Sequence, residues 1–137
     1  MISRVPLFAL LLLVPALGAA AEPLYANIDN AQLKALLAQG TPVYDIRRPE
    51  EWQQTGVVPG SRKLTYVDAS GRLLVDFMPR FTGEVRRDEP VIVICRVGNR
   101  SERLARELVG KLGYTRVYNL RHGISGWIAE GNPVLAH

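Results

Sequence analysis

Two rhythms of apolar positions alternate along the 137-residue chain: short continuous runs and helical stripes. The clearest run is Pro90-Val91-Ile92-Val93-Ile94. An unbroken apolar segment of this length fits a strand covered on both faces of a parallel sheet. Beyond it, Leu104, Ala105, Leu108, Val109 and Leu112 fall on one face of a helix. The stripe predicts a helix that Ser101 caps, that runs through Leu112 and that stops at Gly113. Earlier in the chain, Leu33, Leu36 and Leu37 predict a helix over 30–39, with Asp29 or Asn30 as its cap and Gly40 as its stop. Strands are expected over 42–46, 61–66 and 115–120. Pro49-Glu50-Glu51-Trp52 has the proline and acids of a first helical turn. Asp76 is placed to cap a helix carrying Phe77 and Phe81, with Pro79 in its first turn. Ile124, Trp127 and Ile128 predict a last short helix over 123–129. Strands alternating with helices indicate an α/β domain with a mostly parallel sheet.

The first residues follow a different logic. Arg4 precedes an apolar run from Val5 to Leu17, and Ala19-Ala20-Ala21 offers a small-residue cleavage site. This is the pattern of a secretory signal peptide, cut after Ala21. The alternative is an uncleaved anchor, which the interruptions at Pro6 and Pro15 and a run short for a membrane span of about 20 residues disfavour. Residues 1–21 are therefore expected to be a leader and 22–137 a single domain, periplasmic or secreted, with no stable membrane insertion after cleavage. The sixteen basic residues that remain face thirteen acidic ones, leaving a net charge of +3. No dense basic block is present, so nucleic acid is not an expected partner.

Export gives the cysteine count its meaning. The chain has one cysteine, Cys95, so it has no internal partner in a compartment where disulfides persist. A lone cysteine after an apolar strand is commonly a small buried hydrophobe. Here it heads the loop Cys95-Arg96-Val97-Gly98-Asn99-Arg100, at the carboxyl end of a strand, where α/β sheets bind ligands. A tight loop before a helix N-terminus can turn backbone N–H groups toward an anionic sulfur. Gly98 tolerates a positive φ, and Arg96 and Arg100 supply donors suited to oxyanions. Such surroundings favour a reactive thiolate over an inert thiol.

The loop with Ser101 resembles the active-site loop of rhodanese-like domains, Cys-Arg-x-Gly-x-Arg followed by Ser or Thr. Two further stretches are similar to that family's signatures. One is Asp45-Ile46-Arg47, Glu51-Trp52, Gly56 and Pro59-Gly60-Ser61; the other is Leu120, Gly123 and Trp127. The likeness spans roughly residues 27–134. Val57 stands where the family usually has His, and His122 where it has the first Gly of its closing pair; both are read as packing changes. The resemblance implies a five-stranded, mostly parallel sheet with helices on both faces. It implies a sulfurtransferase in which Cys95 is the nucleophile and Arg96, Val97, Gly98, Asn99 and Arg100 bind substrate. A small sulfur anion such as thiosulfate gives a Cys95 persulfide, and cyanide, a thiol or a partner protein accepts the sulfur. No cofactor or metal is implied.

Asp45, Arg47 and Ser101 are candidates for supporting the loop, although a structural ion pair is the plainer reading of the first two. Trp52 and Trp127 read as packing residues and Arg103 as part of a solvated helix face. His122 and His137 lack any metal or base pattern. Two rival functions remain open: a phosphatase or arsenate reductase, disfavoured because only four residues separate Cys95 from Arg100, and a non-enzymatic sulfur carrier. An exported preparation is expected to begin at Glu22 by intact mass, and a secreted chain still carrying Met1 would contradict the leader.

Overall fold

A computed structural model describes Gly18 and residues 25–137; the leader assigned to residues 1–21 lies outside these apart from Gly18. Five strands, β1 (Ala26–Ile28), β2 (Val43–Asp45), β3 (Arg62–Lys63), β4 (Val91–Ile94) and β5 (Val117–Leu120), form one sheet in the order β1-β5-β4-β2-β3. Every pairing is parallel. The helices are α1 (Asn30–Ala38), α2 (Pro49–Thr55), α3 (Phe77–Glu84), α4 (Asn99–Gly110) and α5 (Gly123–Ala129). The expected five-stranded parallel architecture is the one observed.

Helices on both faces follow from the period of two along the central strand. Val91, Val93 and Cys95 of the β4 segment enter one core with Phe77 and Phe81 of α3 and Leu104 and Leu108 of α4. Ile92 and Ile94 enter the other with Leu33 of α1 and Ile124 and Trp127 of α5. All four β4 side chains are buried. Burial of each such branched side chain contributes about 1.5–3 kcal/mol, which fixes this strand's place at the centre. The same alternation aims the Cys95 side chain beneath α4 rather than toward α1 and α5.

Several predicted boundaries shift for local reasons. The α1 cap is Asp29, whose carboxylate accepts the Gln32 N–H at 2.7 Å while the Gln32 side chain accepts the Asp29 N–H at 2.9 Å. The strand expected over 61–66 narrows to two residues, although Leu64 and Tyr66 still donate N–H bonds to Asp45 O and Ile46 O at 3.1 Å. Asp76 precedes α3 without a capping bond and instead faces Arg80 one turn on, at 3.9 Å. The helix expected to be capped by Ser101 begins at Asn99, with Gly98 as its cap at φ +100°, and it ends at Gly110. Ser101 is thereby drawn inside the first turn and buried. The edge strand β1, with no distinctive apolar run, was not foreseen from the residue pattern.

At the carboxyl end of β2 lies a buried ion pair. Arg47 is 1% exposed, and its Nη2 donates to Asp45 Oδ2 at 2.8 Å. Asp45 Oδ1 also accepts the Arg47 Nε–H at 2.9 Å and the indole N–H of Trp52 at 3.0 Å. The rest of the guanidinium reaches the far end of α2, donating to Thr55 Oγ1 and Gly56 O at 2.9 Å and to Glu51 O at 3.3 Å. The ion pair pins α2 to the sheet. Removing one partner strands a buried charge. Asp45→Ala is expected to lower the unfolding free energy by about 3–5 kcal/mol, measured by urea denaturation.

Candidate active site

Because β4 and β2 run parallel in register, with Asp45 beside Ile94, their carboxyl ends open on the same edge of the sheet. The chain leaves β4 at Ile94 and re-enters a helix at Asn99, so the turn proper is Cys95 to Gly98. Cys95 is 0% exposed in this arrangement. Its sulfur accepts the Gly98 N–H at 3.1 Å and the Ser101 hydroxyl at 3.2 Å. The Asn99 amide oxygen lies 3.8 Å away, in reach of the thiol proton. That same oxygen accepts the Arg100 N–H at 2.8 Å. The expected inward turn of several loop N–H groups is thus realised among the described residues by that of Gly98 alone. The early start of α4 replaces the others with a side-chain hydroxyl.

The carbonyls of the turn face the opposite way. Cys95 O accepts the Ile124 N–H, and Arg96 O accepts the Ser125 N–H, each at 3.0 Å. First-turn N–H groups of a helix have no partner within it, so α5 and the turn satisfy one another. Gly123 and Gly98 make this approach possible. A Cβ on Gly123, at φ +59°, would collide with Arg96 O and Cys95 O. A Cβ on Gly98 would collide with Arg121 O. These two positions combine a left-handed backbone with no room for a side chain.

The arginines take different roles. Arg96 is exposed and borders a cavity of about 180 Å³ with Arg47, Glu51, Gln54, Thr55 and Ser125. Arg100 turns to α2, where its Nη1 and Nη2 donate to the two Glu51 carboxylate oxygens at 2.8 and 2.6 Å. Glu51 also accepts the Arg48 N–H at 3.0 Å at the start of α2. Burial works to raise the Glu51 carboxyl, but the Arg100 guanidinium and the Arg48 N–H more than reverse it and hold it at about 2. Val97, at the crest of the turn, is 52% exposed. Arg103, read as solvated, lies 5.6 Å from the centre of the Tyr66 ring.

Cys95, Gly98, Asn99 and Ser101 therefore meet at the sulfur, while Arg100 is tied back to α2 and Asp45 and Arg47 stand behind it. The sequence reading missed Glu51 as part of the site. A signal was available in its place beside Trp52 in the first family signature, where its acid was read only as part of a first helical turn. Val57, 5% exposed, exchanges backbone bonds with Leu135, in keeping with a packing role.

The rhodanese-like domain model matches residues 29–130. The chain belongs to the rhodanese-like domain family. A sulfurtransferase of Allochromatium vinosum is 34% identical over 112 residues, covering 80% of this chain and 94% of that protein. The thiosulfate sulfurtransferase GlpE of Pseudomonas fluorescens is 30% identical over 116 residues, covering 80% and 96%. Among solved structures, a rhodanese-related protein of Thermoplasma volcanium superposes with a TM-score of 0.63 at 28% identity, covering 82% of this chain and all of that one. In this rhodanese-like domain parts of all three signature stretches meet at the carboxyl end of the sheet: of the first the Asp45–Arg47 pair and Glu51, of the second the sulfur turn, of the third the β5–α5 corner.

The Glu51–Arg100 pair has a pH signature. The folded Glu51 carboxyl, at about 2, lies below its ordinary 4.5, so its stabilisation is fully present above 4.5 and is lost as pH falls through 2. The wild type is therefore expected to be more stable than Glu51→Gln near neutral pH, and the gap should close steadily below about pH 4.5. Urea midpoints measured from neutral pH to pH 2 check this.

Proposed function

We propose that this protein is an exported sulfurtransferase that carries sulfur as a Cys95 persulfide. The observation behind this reading is the Cys95 sulfur, held between the Gly98 N–H and the Ser101 hydroxyl at the carboxyl end of the central strand. Both are donors, so they stabilise negative charge on that sulfur. The cationic Arg96 stands at the mouth of the neighbouring cavity, where it favours approach of an anionic donor. The relatives named as sulfurtransferases support the same chemistry.

The reaction runs in two displacements. The Cys95 thiolate attacks the outer sulfur of thiosulfate or a similar donor. The new S–S bond forms as the old one breaks, and the electron pair leaves with sulfite. The negative charge then resides on the outer sulfur of the Cys95 persulfide. In the second step, cyanide or an acceptor thiolate attacks that outer sulfur, takes it as thiocyanate or a persulfide, and restores the Cys95 thiolate. Splitting one transfer into two displacements is ordinary covalent catalysis. The reaction consumes no external oxidant or reductant.

Residues 22–137 act as the mature domain, with the leader removed at Ala21. Arg96, Val97, Gly98, Asn99 and Arg100 shape the donor's approach, while Asp45, Arg47 and Ser101 hold that arrangement in place. The pairing of Arg100 with Glu51 leaves its guanidinium committed to α2, which disfavours a phosphate-cradling role.

Incubation with thiosulfate is expected to add the mass of one sulfur to the mature chain. Cyanide should remove it, and Cys95→Ser should gain none. An unchanged wild-type mass would refute thiosulfate as donor. A persulfide that forms but does not turn over with cyanide or thiols would identify a carrier instead of an enzyme.

A further inference from the structure

Within an otherwise apolar segment, β5 carries Asn119, which is 2% exposed. Its strand partner on β4 is Val93, two residues before Cys95. Alternation places Asn119 on the face of Val117, the face that packs beneath α4. A buried amide there must be paired, yet only half of it is. Asn119 Nδ2 donates to Asn27 Oδ1 at 2.9 Å and to Gly98 O at 3.3 Å. Asn119 Oδ1 is buried with no partner among the described residues. The orientation of the amide is fixed by its surroundings: Gly98 O can only accept, so the atom facing it is the nitrogen. An unpaired buried oxygen is destabilising, and an apolar residue at this strand position would avoid it. Core packing therefore does not account for Asn119.

The Gly98 carbonyl does. A carbonyl oxygen offers two lone pairs. Three donors converge on this one: the Glu102 N–H at 3.0 Å, the Asn119 amide at 3.3 Å and the Ser101 hydroxyl at 3.3 Å. Glu102 is committed by the α4 hydrogen-bond ladder. Ser101 has one proton and two acceptors for it, Gly98 O and, at 3.2 Å, Cys95 Sγ. If Asn119 fills the second lone pair, the Ser101 proton is left for the sulfur.

We infer that Asn119 is a positioning residue that, by occupying the Gly98 carbonyl, turns the Ser101 hydroxyl proton onto Cys95. Asn27, across the sheet on β1, holds the amide at that angle. This builds on the reading of Cys95 as the working sulfur. It adds a role for a residue that never touches the sulfur and acts only through Ser101.

The chain's single cysteine makes the test direct. The ultraviolet absorbance of the thiolate, titrated against pH with Cys95→Ser as the blank, reports one group only. The charged side chains around the sulfur, Arg96 and Arg100 with Glu51 and Asp45 behind Arg100, are the same in every variant. Asn119→Leu keeps the volume and removes the donor. It is expected to move the midpoint up by about one pH unit, the size that follows when an anion loses one hydrogen bond. Ser101→Ala should move it by a similar amount. In the Ser101→Ala background, Asn119→Leu should add nothing, because the proton it directs is gone. An unmoved midpoint in Asn119→Leu, or equal shifts in both backgrounds, would overturn the inference. Asn119→Ala, which leaves a space instead of a misfit, repeats the cycle if leucine prevents folding. The titration needs no sulfur donor, so failure to load thiosulfate would count against the proposed function and leave this result to stand or fall alone.

Discussion

Everything at this end of the sheet hangs on the buried pair of Asp45 and Arg47. The carboxylate lies at the end of β2 and collects the guanidinium, a backbone N–H and an indole N–H. The guanidinium in turn gathers the carboxyl end of α2. Two buried charges gain little net stability when compared with a well-packed apolar pair. What they provide is direction, since α2 can lie against the sheet in one way only if all these donors are to find acceptors. That placement presents Glu51 to Arg100, and Arg100 is in the first turn of the helix that follows the sulfur. A constraint set near residue 45 is thus transmitted to residue 95 through side chains.

The fold was largely legible because its signals are periodic. The run before Cys95 and the stripe after it specify a central strand and a covering helix, and their alternation gives the two-faced layout. The weak points were elements with no period to read. β1 is a short edge strand, and β3 keeps only two residues because it pairs on one side. The start of α4 differs from the expected one because the Ser cap yields to Gly98, whose left-handed backbone opens the helix three residues earlier.

The site was legible in its residues but not in its wiring. Cys95, Gly98 and Ser101 do converge, yet Ser101 meets the sulfur as a donor instead of capping the helix. Arg100 reads in sequence as a free cation, and only its distance to Glu51 reveals it as half of an ion pair. Glu51 and Asn119 could be seen as polar residues in segments with other tasks, a first helical turn and an apolar strand. Their meaning depends on contacts across roughly 50 and 20 positions of chain, which no local pattern encodes.

The outward-facing carbonyls of the turn carry a consequence for the order in which the site comes into being. Cys95 O and Arg96 O find their donors in Ile124 and Ser125, and Gly98 O leans on Asn119. Synthesis proceeds from the amino end, so Cys95 is joined to the chain before the residues that shape its turn. Until α5 docks, Cys95 O and Arg96 O have only water, and until β5 docks Gly98 O has its α4 donor but not Asn119. The thiol is present early, but its surroundings are completed only by β5 and α5, which follow it in the chain.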